Sequence, residues 1–384
     1  MENIASAKFK NKKVLVRVDY NVPIKDGKIM DETRIVASLK TLNMLIDGGA
    51  KVILLSHLGR VKTEEDMKKN SLSIVAKRLS KLINAPVYFI PKTRGPIVEE
   101  TVNNLLPREI ALIENTRFED YPKKLESSCD EALSKYWASL ADMFVLDAFG
   151  TAHRCHASTY GVSKFIPSYA GYLVEKETEM LDEVLNSKRT LIMGGAKVDD
   201  KIGVIDNLIK SSDKLLIGGA MCFTFLKANG IDVGSSLVSE DYVDYAKNVL
   251  KKYSKKIVLP VDVVCQSGVK DIDKLEKDDV GYDIGPKTIE LFKENLENSK
   301  MVLWNGPLGK YEEKEYENGT KDILKYLEKQ DFKTILAGGD VVAACGYFKT
   351  RMYYVSTGGG STLEYLEGKK FKTLKRLKGE KWKR

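Results

Sequence analysis

Cysteine is scarce in this chain of 384 residues. Its five cysteines, Cys129, Cys155, Cys222, Cys265 and Cys345, are scattered and form no CxxC pair. That argues against a disulfide framework or a zinc site and for reduced thiols in a cytoplasmic protein. Long apolar runs are absent too, so no segment reads as a membrane span. The opening residues MENIASAKFKNKK hold no apolar core of a signal peptide. Neither GxGxxG nor GxxxxGK[ST] occurs, so the dinucleotide fingerprint and the P-loop are both missing and a Rossmann-type dehydrogenase is disfavoured. No low-complexity linker interrupts the chain.

Net charge is also lacking over most of the length. The formal charge is +8, but the stretch from Gly368 onward, GKKFKTLKRLKGEKWKR, holds nine Lys or Arg and one Glu. The preceding 367 residues therefore net to zero, and the body offers no basic face for nucleic acid. A polyanion-binding role can rest only on the tail, with Phe371 and Trp382 interleaved among its cations. A solvated or domain-docked terminus is the simpler reading of that tail.

What is present is alternation. Runs rich in Val, Ile and Leu end in turns and are followed by amphipathic stretches. The strand candidates are 14–21, 52–59, 87–90, 110–115 and 143–150, then 190–195, 214–219, 257–264, 301–306, 334–339 and 352–359. The spacing predicts helices over 71–83 and 241–253. Continuous apolar strands alternating with helices imply parallel sheets covered on both faces. Eleven strands exceed one ordinary open sheet, and the length exceeds one ordinary core. The expected fold is α/β, with two doubly wound parallel-sheet, Rossmann-like domains joined by a hinge helix. The boundaries read as 1–168, a hinge helix at 169–187, 188–366, and a basic tail at 367–384. IPSYAGYL supplies turn residues at the seam.

Ligands of such sheets bind beyond the carboxyl ends of the strands. In the first half those ends carry Asp19, Asn21, His57, Arg60, Asn115, Arg117 and Asp147, with Arg34 and the segment GTAHRCHAST (His153, Arg154, His156) nearby in sequence. Several arginines at one sheet edge suit a phosphorylated or carboxylated ligand, because guanidinium grips such anions through two parallel hydrogen bonds. In the second half the strands end in glycine turns: MGGAKVDDK (193–201), AGGDV (337–341), WNGPLGKYEE (304–313) and STGGGSTLE (356–364). Glycine lets backbone N–H groups approach phosphate at a helix start. Lys197 and Lys201, four apart, are expected on one helical face. Asp340 is placed to hold Mg²⁺ on phosphates, and Glu312 to accept from ribose hydroxyls. Together these features point to phosphoryl transfer between a nucleotide and a small anion.

RVDYNVP, SHLGR, DAFGTAHRCHAST, GGAKVDDKI, GGAMCFTFLK, WNGPLG and STGGGSTLE follow one another in an order and spacing that resembles the phosphoglycerate kinase family, up to about Gly368. The resemblance implies reversible phosphoryl transfer between ATP and 3-phosphoglycerate, giving ADP and 1,3-bisphosphoglycerate, with Mg²⁺, in a glycolytic, cytoplasmic monomer. It further implies that Asp19, Tyr20, Asn21, Arg34, His57, Leu58, Gly59, Arg60, Arg117 and Arg154 bind substrate. Gly195, Lys201, Gly219, Gly281, Asn305, Glu312, Gly338, Gly339, Asp340 and Val341 would bind nucleotide, and Asp340 the metal. Arg34, Lys197, Gly359 and Gly360 would act on the phosphoryl group in flight. Departures from the family pattern are Val341 where Ser or Thr is usual, Ala337 for Gly, Tyr282 for Leu, Val61 for Pro, Asp199 for a small residue, and the tail.

Overall fold

A computed structural model describes residues 1–377; Trp382 and the rest of the tail beyond Leu377 lie outside the described residues. The chain forms two compact units. One comprises Met1–Glu179 and the stretch from Lys370, the other Met180–Lys369. The division falls inside the helix Tyr172–Asn186.

The first unit is built on a six-stranded parallel sheet. Its order is Val87–Ile90, Ile110–Ile113, Lys51–Leu55, Lys13–Val18, Met143–Asp147 and Ser168–Ala170. The inner strands are buried along nearly their whole length, which is why they read as continuous apolar runs. One face packs on the helices Thr33–Asp47 and Ser73–Leu82 through Ile35, Leu42, Leu45, Val75 and Leu79. The chain leaves the first strand toward Lys51–Leu55 on one side and later fills the other side with Met143–Asp147. That reversal puts Asp19 and Asn21, at the end of the first strand, beside a switch point. The short edge strand Ser168–Ala170 falls where the sequence reads as turn.

The second unit repeats the plan, in the order Ile257–Val258, Lys214–Ile217, Thr190–Met193, Met301–Asn305, Lys333–Ala337 and Tyr354–Val355, all parallel. Its switch point lies between Thr190–Met193 and Met301–Asn305, whose ends carry Gly194–Gly195 and Gly306. Ile192, Leu216, Trp304 and Leu336 pack there with Phe292, Ile323 and Leu324.

The expected strand 257–264 is two strands. Pro260 has no N–H to continue a ladder, and the chain breaks into Ile257–Val258 and Asp262–Cys265. The latter forms the centre of a three-stranded antiparallel sheet with Gly268–Asp271 and Gly281–Ile284. The expected helix 71–83 is Ser73–Leu82, and 241–253 is Val243–Tyr253 after one 3₁₀ turn.

Candidate functional site

The first unit gathers its charged residues at the carboxyl ends of its strands. Asp19 accepts from Arg34 Nη1 at 2.7 Å. Burial works to raise the Asp19 pKa, but the positive charge around it, from Arg34 and Arg17, outweighs it and holds the carboxyl below its ordinary range. Asn21 Oδ1 accepts the Gly59 N–H at 2.8 Å, which ties the turn after Lys51–Leu55 to the end of Lys13–Val18. Asn115 clamps the same turn. Its Oδ1 accepts from the N–H groups of Leu58 and Arg117, and its Nδ2 donates to Leu58 O at 2.7 Å. Arg117 Nη1 donates to Asp120 at 2.8 Å, while its buried Nε has no partner among the described residues. An unused guanidinium donor facing no protein acceptor suits an anionic ligand. Arg60 and Arg154 are exposed, and Arg154 Nε donates to His153 Nε2 at 2.9 Å.

Tyr20 and Leu58, expected among the substrate-binding residues, turn their side chains into the core. Their N–H groups are used by Ser56 Oγ and Asn115 Oδ1. They build the turns that carry their neighbours.

Sequence reasoning missed what lies beneath this basin. Arg17, the one charge in the buried part of the strand KVLVRV, is fully buried. Its Nε donates to Ser158 Oγ at 2.8 Å, and its Nη2 lies 3.2 Å from His57 Nδ1. Ser158 N–H and Oγ both donate to the fully buried Glu126. The signal was there: an arginine inside an otherwise apolar strand needs a buried partner. Burial lowers the pKa of His57 to about 3 and that of His156 to about 2, so both rings are neutral at neutral pH.

In the second unit, glycine turns shape two adjoining cavities. Gly194 and Gly195 N–H donate to the carbonyls of Asn305 and Pro307, and Gly219 N–H to that of Leu308. Gly219 has φ +60°, and a Cβ there would stand 2.5 Å from Gly195 N, so only glycine fits this crossing. Gly338 has φ +99°, and a Cβ would stand 2.3 Å from Asn305 Nδ2. One cavity, of about 310 Å³, is lined by Gly195, Gly219, Gly281, Tyr282, Lys310 and Glu312. The other, of about 520 Å³, is lined by Lys201, Asn305, Gly338, Gly339, Gly359 and Gly360. Asp340, in the first turn of the helix Gly339–Tyr347, lines both.

Lys197 and Lys201 do not share a helical face. The segment after Gly195 forms only a 3₁₀ turn at Asp199–Lys201 before the helix Ile202–Leu208. Lys201 lines the larger cavity and Lys197 is exposed. Burial pushes the Lys201 ammonium down, opposed by Asp200, Asp340 and Asp199. Val341 is fully buried in the core and lines neither cavity. Tyr282, unexpected in size, stacks on Tyr316 with ring centroids 4.7 Å apart and forms a wall of the smaller cavity.

No group of three His, Cys, Asp or Glu among the described residues could cage a metal ion. Asp340 and Asn305, whose buried Oδ1 lacks a partner among the described residues, line the larger cavity together with Asp199, Asp200, Glu364 and Glu367, and such oxygen donors suit a hard cation that takes further oxygens from phosphate and water. The residues present therefore fit a nucleotide-borne divalent ion. No helix among the described residues is long and apolar enough to cross a membrane.

Comparison with known proteins agrees with this two-part layout. The family model for phosphoglycerate kinase matches residues 4–369. The phosphoglycerate kinase of Enterococcus faecalis is 50% identical over 384 residues, 96% of each chain. That of Fusobacterium nucleatum is 50% identical over 384 residues, 95% of this chain and 96% of its own. The solved phosphoglycerate kinase structure from Coxiella burnetii matches with a TM-score of 0.86 at 35% identity over 98% of both chains. That from Pyrococcus horikoshii OT3 matches with a TM-score of 0.86 at 30% identity, again over 98% of both. These matches lend no support to the dehydrogenase reading or to polyanion binding by the tail. The chain belongs to the phosphoglycerate kinase family, whose glycolytic reaction moves a phosphoryl group reversibly between ATP and the carboxylate of 3-phosphoglycerate with the help of a divalent metal.

Proposed function

We propose that the basin of the first unit holds 3-phosphoglycerate and that the paired cavities of the second hold the nucleotide. The observation that carries this reading is the sharing of Asp340. A smaller cavity with an aromatic wall and a carboxylate (Tyr282, Glu312) adjoins a polar one with Lys201 and open glycine backbone, and Asp340 belongs to both. A nucleoside and its phosphates demand that sequence of surfaces.

In this reading Arg60, Arg117, Arg154 and His57 grip the phosphate that stays, while Asp19 and Asn21 orient the glycerate. Arg34 faces the carboxylate that accepts the phosphoryl group. Glu312 accepts from the ribose, Gly195, Gly219 and Gly281 let the base and sugar lie close, and Lys201 neutralises phosphate charge. The accepting carboxylate is already ionised near neutral pH, so no general base is required. What remains is alignment and charge: Arg34, Lys197 and the N–H groups of Gly359 and Gly360 offset the negative charge that spreads over the phosphoryl oxygens. Asp340 and Asn305 would hold Mg²⁺ on the phosphates, where the ion shields their charge.

Direct transfer demands that donor and acceptor come within bonding distance and that water be kept out. The reading therefore includes closure of a substrate domain (1–168) on a nucleotide domain (188–366), with 169–187 as hinge. It takes the protein as a cytoplasmic monomer. A coupled assay with ATP, Mg²⁺ and 3-phosphoglycerate tests the reading. Turnover that saturates in both substrates is expected, and its absence with folded protein would sink the assignment of ligands to sites.

A further inference from the structure

The buried group under the basin, Arg17, has no place in the roles above. It does not reach the surface, yet it is a full cation inside a parallel sheet. Such a charge is retained only when well paired, because an unpaired one is severely destabilising. Its three donor nitrogens are directed. Nη1 donates to Val18 O, Nε to Ser158 Oγ at 2.8 Å, and Nη2 to His57 Nδ1 at 3.2 Å. Ser158 in turn rests on Glu126 through both its N–H and its hydroxyl.

The last of the arginine contacts decides a proton. Guanidinium has donors and no acceptor. The nitrogen it meets, His57 Nδ1, must therefore be the lone-pair nitrogen, and the ring proton must sit on Nε2. The competing arrangement has Nδ1–H donating to the carboxylate of Asp19. The separation there is 3.8 Å, too long for a hydrogen bond. The surrounding charges act in the same sense. Arg17 from the strand Lys13–Val18, Arg34 from the helix Thr33–Asp47 and Arg117 from the turn Thr116–Asp120 all oppose a proton on His57, and Asp19 alone favours one. His156 beside Glu126, and Arg154, complete the titratable and charged groups of this cluster.

We propose that Arg17 is a positioning residue that locks His57 as the neutral Nε2–H tautomer, making it a permanent, uncharged hydrogen-bond donor for the substrate anion. The ring nitrogen left free by Arg17 then donates at every working pH, and anion binding carries no histidine ionisation. The claim rests on the placement of 3-phosphoglycerate in the basin, but its central test does not.

The chain has three histidines, His57, His153 and His156, so a protein labelled with ¹⁵N-histidine gives a spectrum that a His57→Gln variant assigns. In the unliganded full-length protein, His57 is expected to show unprotonated Nδ1 and protonated Nε2, unchanged from pH 5.5 to 8. A protonated Nδ1, or a ring that titrates near 6.5, overturns the proposal from the wild-type spectrum alone. In Arg17→Gln the ring is expected to stay neutral, because burial remains, but to show a mixture of the two tautomers, since the fixed guanidinium donor facing Nδ1 is gone. An unchanged ring in that variant equally overturns the proposal. If Arg17→Gln fails to fold, Ser158→Ala, which removes the acceptor of Nε and the hydroxyl bond to Glu126, is expected to show a mixture of tautomers, and a single unchanged tautomer there overturns it. Arg17→Lys keeps the charge but not the fork. It should raise KM for 3-phosphoglycerate about tenfold, the effect of one weakened hydrogen bond to a charged group, with KM for ATP changed less than about twofold. A locked tautomer without turnover of 3-phosphoglycerate would refute the assigned ligand while leaving the arginine's action on His57 standing.

Discussion

Asp19 shows how single residues divide labour in the basin. Its carboxylate touches Arg34 at 2.7 Å, so in the absence of substrate each occupies the other. Replacing Arg34 with Ala frees Asp19 and, on the proposed reading, removes a cation facing the accepting carboxylate. The expected result is a fall in kcat of about 10²–10³, the usual consequence of losing one stabilising donor in the transition state, with ATP binding changed less than about twofold. Steady-state kinetics with both substrates varied measures the split, and equal losses in kcat and nucleotide affinity would contradict the role given to Arg34.

Asp147 makes a different point at the same scale. Burial raises its pKa to about 7, against hydrogen bonds from Thr41 and from the N–H groups of Leu173 and Val174. A carboxyl whose pKa is higher folded than unfolded binds its proton better in the native state. Its stabilising contribution is present below the unfolded value and is lost as pH rises through the window from about 4 to 7. Asp147→Asn should therefore flatten the decline of unfolding free energy across that window, read from urea titrations at several pH values. Asp283, raised by burial to about 8, leaves a residual slope. An Asn variant with an unchanged slope would show that Asp147 is ionised throughout. The sequence pointed to Asp147 as a strand-end residue and to a ligand. Its contacts instead cap the start of the helix Tyr172–Asn186, with Oδ1 accepting the Leu173 N–H at 2.9 Å. Strand position was legible from the apolar run before it, but the partner arrives 26 residues later.

At the scale of elements, the glycine turns of the second unit act as joints between neighbouring strand ends. The N–H groups of Gly194, Gly195 and Gly219 bond carbonyls from 305–308, so three strand ends are fastened to one another at the switch point. Gly219→Ala forces a Cβ to within 2.7 Å of Pro307 O and into a left-handed backbone. A cost of about 2 kcal/mol or more is expected, together with weakened ATP binding. Urea unfolding and calorimetric titration with ATP would report both, and retention of both wild-type values would refute the joint. The doubled glycines and their position after apolar runs were readable in advance. That Lys197 falls before the helix and only Lys201 lines the cavity was not, because i, i+4 spacing has meaning only once a helix is assured. The antiparallel sheet of 262–284 was also hidden. Its strands are four residues each and carry no long apolar run, and one of them, Gly268–Asp271, buries none of its residues.

For the whole molecule, the C-terminal segment is the clearest case of chain order departing from spatial order. Phe371, Leu374 and Leu377 are buried, and the Phe371 ring lies 6.2 Å from those of Phe149 and His153. Arg376 donates to Ser163 O at 3.0 Å, and Glu2 N–H to Leu377 O at 2.8 Å. All of these partners belong to the first unit. Ending the chain after Lys369 removes three apolar side chains worth about 1.5–3 kcal/mol each. The first unit should then unfold at lower denaturant, while ATP affinity stays within about twofold. Unfolding monitored alongside nucleotide titration separates the two effects, and an unshifted first transition would refute the docking.

The chain's own order of residues determined the parallel α/β plan, the division of chemistry into an arginine-rich half and a glycine-rich half, and the neutral body with its charged end. Those properties follow from local patterns: apolar runs long enough to be buried on both faces, glycine after them, and charge that can be counted. Only the tertiary structure decided which residues share a surface. It turned Tyr20, Leu58 and Val341 inward, brought Glu126 and Ser158 beneath Arg17, seated Asp340 in two cavities at once, and returned the segment after Lys370 to the first unit. Each of these depends on contacts between residues distant in the chain, where burial and hydrogen-bond geometry, not spacing, select the partner.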